Sequence, residues 1–160
     1  MSAEKSVKFL PAFFVDVIDP SVEYPAEMLP HRITLFPPLK QAYDPAYGVD
    51  LRKLVNTLTP FDVTVSGDDM FGDKLEIPVK RIEDSDELQH LHAQLVIALG
   101  NLTHDATYRQ PYAPHISVKE HSDIPDGQKI HIEGFTIVEK VSGAAWIVRD
   151  QMRLKGERNG

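Results

Sequence analysis

The chain contains no cysteine. Disulfide frameworks, thiolate nucleophiles and cysteine-based metal centres are therefore excluded, and a reducing, cytoplasmic setting is expected. Long apolar runs are also missing. No segment approaches the roughly 18 uninterrupted apolar residues of a membrane span, and Met1-Ser2-Ala3-Glu4-Lys5 does not open a secretory signal. Positive charge is in deficit, with 17 Lys and Arg against 24 Asp and Glu and a formal net charge of −7. Such a surface repels the backbone of a long duplex. The partners left open are a nucleotide, a short RNA or an RNA end held in a locally basic cleft. Histidine pairs with ligand spacing are lacking too. His90 and His92 do not share a helix face, so no metal and no other cofactor is expected.

What is present is an ordinary globular composition, 42% hydrophobic and 26% charged over 160 residues. That length is most simply one domain, 1–160, with a sizeable core. Alternation and β-branched content predict strands over 8–18, 31–36, 61–65, 74–82, 114–118, 129–141 and 144–148. Pro11 points to an edge or a bulge in the first of them. Helical spacing predicts one helix over 49–58, capped by Asp50 and closed by Pro60, and another over 84–99 with Leu88, Leu91, Leu95 and Leu99 on one face. Asp84 with Glu87 has the form of a capping box. Residues 40–48 and 101–113 read as loops, Gly67-Asp68-Asp69 as a turn, and the tail from Lys155 as loose. The order is α+β, two antiparallel lobes with helices packed outside, each lobe offering one wall of a central cleft.

Two of the predicted strands carry chemistry. Pro114-His115-Ile116-Ser117-Val118 sets a histidine and a hydroxyl two apart, and so on one face of a strand. His31-Arg32-Ile33-Thr34-Leu35 holds the same residue types in the other half. An imidazole can move a proton near neutral pH and a hydroxyl can hold a phosphate oxygen. A lone strand histidine is usually structural. Two such units in one small domain point instead to acid–base chemistry at a phosphoester.

His115-Ile116-Ser117-Val118 and Arg32-Ile33-Thr34-Leu35 resemble the paired His-apolar-(Thr/Ser)-apolar signature of the 2H phosphoesterases, the ligT-like or 2′-5′ RNA ligase-like family. The resemblance implies a metal-independent phosphodiesterase acting on a 2′,3′-cyclic phosphate, a 2′-5′ linkage or a cyclic oligonucleotide. One histidine would take a proton and the other give one, while Thr34 and Ser117 bind the phosphoryl oxygens. The first copy departs from the pattern: Arg32 stands where the histidine belongs, and His31 comes one residue early. A bulge after Pro30 would turn His31 into the cleft as a catalytic residue with His115. Without it Arg32 lines the cleft, and an arginine binds phosphate but titrates too high to be a general base. The second arrangement implies a non-catalytic nucleotide-binding module. The reading taken is His31.

Other residues are weighed against structural roles. Tyr43, Tyr108 and Tyr112 lie in loops flanking the motifs and are candidates for stacking a base, with Tyr47 beside them. Arg109 and Lys119 are candidates for local positive charge. His90 and His92 are expected to be solvated, His104 to be incidental, and His121 and His131 show no partner. Trp146 is expected in the core.

Overall fold

The computed structural model describes residues 7–15, 18–25, 30–35, 39–71, 77–100, 114–117, 124–141 and 145–156. Along the chain lie β1 (Val7–Phe14), β2 (Arg32–Thr34), α1 (Pro45–Val55), β3 (Phe61–Phe71), β4 (Ile77–Ile82), α2 (Asp86–Gly100), β5 (His115–Ser117), β6 (Lys129–Ile132), β7 (Gly134–Val141) and β8 (Trp146–Arg153). The strands form one eight-stranded sheet in the order β6-β3-β4-β5-β2-β1-β7-β8. Every recorded strand pairing in it is antiparallel. The expected α+β class is what is found, and the two motif strands, β5 and β2, meet at the centre.

Strand alternation divides the side chains between two faces. One buries Phe9, Ile33, Val63, Ile82 and Ile116 against Leu51 and Val55 of α1 and Leu88, Leu91, Leu95 and Leu99 of α2. The other carries a smaller cluster of Leu10, Ala12, Phe14, Val138 and Trp146 with Ile18. Tyr24 packs against that cluster, and its backbone pairs with the outer edge of β8 at Trp146 (2.8 and 2.7 Å). Removing these apolar side chains from water, at about 25 cal/mol per Å², is the main term favouring the fold. Trp146 is core, as expected.

Several boundaries differ from the sequence expectation, each for a local reason. Pro11 is in an interior strand between β2 and β7, not at an edge. Its carbonyl accepts from Leu35 N (3.1 Å), but the reciprocal bond cannot form because proline has no N–H. The missing donor falls just where β2 ends, so the ladder loses nothing in its interior. Helix α1 starts at Pro45, inside the segment expected to be a loop. Asp44 rather than Asp50 is its cap, accepting from Ala46 N (2.9 Å) with Pro45 in the first turn; proline's fixed φ suits that position. Ser85, not Asp84, caps α2, its Oγ accepting from Leu88 N (3.2 Å).

Gly67-Asp68-Asp69 is not a turn. It lies within β3 at a register shift between Val65 and Asp68, with Gly67 at φ 115°, a conformation that favours glycine. Phe61–Thr64 of β3 pairs with β6 along one edge, and Val65–Phe71 pairs with β4 along the other, on both sides of the shift. Residues 129–141 form two strands, β6 and β7, far apart in the sheet order, and β8 runs to Arg153 rather than Val148. The chain from Lys155 is not loose at its start. Lys155 N donates to Val55 O (2.9 Å) and Gly156 N to Leu58 O (2.7 Å), closing the C-terminal end of α1. No helix among the described residues is long and apolar enough to cross a membrane.

Candidate functional site

The β2–β5 register centres on Ile33 opposite Ile116. In an antiparallel pair this sets His115 beside Thr34 and position 117 beside Arg32. A local two-fold through the two isoleucines therefore relates the motif triplets, and it superposes Arg32 on His115 and Thr34 on position 117. Both isoleucines turn toward the helices, so Arg32, Thr34 and His115 occupy the opposite face. The β1–β2 register joins them to that face through Ala12–Thr34 and Phe14–Arg32.

That register is unbroken. Pairing runs Ala12–Thr34, Phe13–Ile33, Phe14–Arg32 with no shift, and Val15 N donates to His31 O (2.9 Å), continuing the same ladder. The bulge expected to turn His31 toward His115 is absent from it. His31 lies one residue before β2, opposite Val15, which packs with the helix-side core. The place beside position 117 belongs to Arg32.

Arg32 is half-buried, and its Nε is a buried atom with no hydrogen-bond partner among the described residues. Its Nη1 reaches Pro30 O at 3.4 Å. Among the described residues it makes no ion pair, whereas Arg52, Arg81, Arg149 and Arg153 pair with Asp150, Asp69, Glu139 and Glu133 respectively. Burial holds the Arg32 pKa below the usual guanidinium range. A cation removed from water without a counterion is unfavourable, and an anion bound there would offset the cost.

One residue of this face was not anticipated. Arg81 of β4 is directly opposite His115 and alternates onto the same face, because Ile82 points to the helix-side core. Its Nη1 lies 3.3 Å from Asp69 Oδ2. Nothing local in Val79-Lys80-Arg81-Ile82 marks it; only the non-local β4–β5 pairing does.

Tyr43 is a correction. It lies under the helix-side face with Phe9 (ring centroids 5.3 Å) and Tyr47 (6.0 Å), on the other side of the sheet from Arg32 and His115. Its Oη donates to Asp150 Oδ2 (3.0 Å), and Arg52 also holds that carboxylate (2.7 Å). Burial first, then the Asp150 carboxylate, raise its pKa. It is a core residue with a polar anchor and is not placed to stack a base beside Arg32. His92 is buried, not solvated, and burial lowers its pKa. His131 has a partner, Asp62, at 2.7 Å. Tyr108, Arg109, Tyr112, His104, Lys119 and His121 lie outside the described residues. Among the described residues no three His, Asp or Glu side chains converge as a metal site would require.

The family model of the 2′-5′ RNA ligase superfamily matches residues 21–133, spanning both motif strands. The chain belongs to the 2′-5′ RNA ligase superfamily, the 2H phosphoesterases. Solved structures agree on the fold. TT0787 of Thermus thermophilus matches with 18% identity and a TM-score of 0.68, over 94% of this chain and all of that one. E. coli LigT complexed with NADP+ matches with 14% identity and a TM-score of 0.62, over 94% of this chain and 99% of that one. E. coli LigT complexed with 3′-AMP matches with 13% identity and a TM-score of 0.61, over 93% and 98%. No curated protein matches the sequence. At the two central strands this chain carries His115 on β5 and Arg32 on β2.

Proposed function

We propose that the β2–β5 face binds the phosphoester of a nucleotide or RNA end, and that this member holds it with an arginine where two-histidine catalysis needs an imidazole. The observation that carries the reading is Arg32: a half-buried guanidinium that makes no ion pair among the described residues, on the same face as His115 and Thr34. Arg32 gives charge-assisted hydrogen bonds to the phosphoryl oxygens. Thr34 and Ser117 add hydroxyl donors. His115 contributes one proton-transfer group. The first-motif position is taken by Arg32, and an arginine does not surrender its proton near neutrality. The E. coli LigT structures with 3′-AMP and NADP+ support a nucleotide as the ligand class. The scheme uses no metal, so binding is expected to be unchanged by chelation.

The test restores the missing group. Arg32→His creates His-Ile-Thr-Leu at the first motif. General acid–base catalysis typically contributes about 10²–10⁴-fold, so turnover of 2′,3′-cyclic nucleotides in EDTA should rise at least a hundredfold over the unmodified protein. The reverse result would be a wild-type protein that already turns these substrates over and loses that activity in His31→Ala. That outcome would return His31 to the catalytic role and refute the clamp.

A further inference from the structure

Arg81 and Asp69 share the site face with His115 and Arg32. Arg81 flanks the imidazole from β4. Arg32 flanks it from β2, on the other side and two residues further along, Thr34 being directly opposite His115. Strands lie about 4.8 Å apart and rise about 3.4 Å per residue. The two arginine positions are then roughly 12 Å apart across the sheet, a span that two long side chains can close from opposite sides over His115. In a chain of net charge −7, two arginines around one imidazole make a local concentration of positive charge.

We propose that Arg81 is a second phosphate-binding residue, and that the site therefore takes a terminal phosphomonoester, a dianion, in preference to a singly charged phosphodiester. The proposal rests on the reading of this face as a phosphoester site and names its ligand more narrowly. One guanidinium matches the single charge of a diester. A second is needed only when a second charge must be met. Arg81 is available for it. Its ion pair with Asp69 is long, at 3.3 Å, and both partners are well exposed, 56% and 38%. Such pairs contribute little and exchange readily. The guanidinium has five N–H donors, so an incoming phosphate can engage those that Asp69 does not. Asp69 then acts as a resident competitor that occupies Arg81 when no anion is bound.

The experiment is a calorimetric titration in EDTA at pH 8, where a phosphomonoester is fully dianionic, its second pKa being about 6. The ligands are 3′-AMP and 2′,3′-cyclic AMP. The proteins are wild type, Arg32→Gln, Arg81→Gln and Asp69→Asn, each checked to melt cooperatively and no lower than wild type. Wild type should bind 3′-AMP more tightly than the cyclic diester. Arg81→Gln should lose about tenfold in affinity for 3′-AMP, the loss expected for a charge-assisted hydrogen bond, and change little toward the diester. Arg32→Gln should lose affinity for both. Asp69→Asn should bind 3′-AMP more tightly than wild type. If Arg81→Gln binds both ligands like wild type while Arg32→Gln is impaired, the proposal is overturned and the reading of the site survives. Equal losses on both ligands in Arg81→Gln would overturn the monoester preference. A wild-type protein that binds neither ligand would end both.

Discussion

Arg32 holds on β2 the place that His115 holds on β5, each one step from the Ile33–Ile116 pair and on the same side of the sheet. Substitution at one of two positions related in this way alters the chemistry without altering the frame. The strand pairing is shared by the two positions, and the side chains differ in proton-transfer capacity.

A clamp that waits for its anion should weaken the empty protein. Arg32→Leu is expected to raise the melting temperature in phosphate-free buffer, because it removes a half-buried cation whose Nε has no partner among the described residues. Added phosphate should stabilise the wild type and leave the variant unchanged. A thermal-shift titration reads both effects. A variant that melts lower than wild type without phosphate would show that Arg32 is satisfied by the fold itself.

Tyr43 should matter for stability and not for ligand. Tyr43→Phe removes the bond to Asp150 while keeping the ring against Phe9. A cost of about 1 kcal/mol in denaturant unfolding is expected, with nucleotide affinity unchanged. A tenfold loss of affinity would put the tyrosine back at the site.

Gly134 tolerates no side chain. A Cβ there would run into the Met152 carbonyl oxygen, a backbone atom of the neighbouring strand. Gly134→Ala must push β7 from β8 and should cost about 3 kcal/mol, at the upper end of overpacking penalties. Chemical denaturation against wild type measures it; a change under about 1 kcal/mol, the lower end of those penalties, would show that the two strands can separate freely at this point.

His92 ties stability to pH. Burial depresses its pKa in the folded state, so the folded protein favours the neutral ring. The unfolded chain takes up a proton near pH 6.5 and the folded one only below that. Stability from this residue is therefore complete above about pH 6.5 and is lost as pH falls through the depressed folded value, each unit of depression being worth about 1.4 kcal/mol. His92→Leu should show a smaller loss of melting temperature between pH 7.5 and pH 5 than wild type. Parallel pH curves for the two proteins would count against this account.

Much of the fold was legible because it is written in local periodicity. The leucine stripe of α2, the alternation of β3 and the short motif strands all follow from nearest-neighbour spacing. What was not legible depends on partners distant in sequence. Pro11 reads as an edge residue until Leu35 is known to end the ladder beside it. Gly67 reads as a turn until β4 is seen to pair with β3 on both sides of it. At the site, the departure at Arg32 was visible in the motif, but the choice between Arg32 and His31 needed the continuous β1–β2 register. Arg81 has no local signal at all, and Tyr43, which does lie in a loop, is drawn under the sheet by Phe9 and Asp150, partners distant in sequence.

The shortness of the two motif strands has a mechanical consequence. Three-residue β2 and three-residue β5 form the join between the two halves of the sheet, while β1 and β7, to one side of that join, are each eight residues long. The middle of the molecule is thus its thinnest seam, and amide exchange should reach Ile33 and Ile116 through partial opening well before it reaches Leu10 or Val138. An anion bridging Arg32 and His115 would span that seam like a rivet, and should slow exchange there more than anywhere else in the sheet.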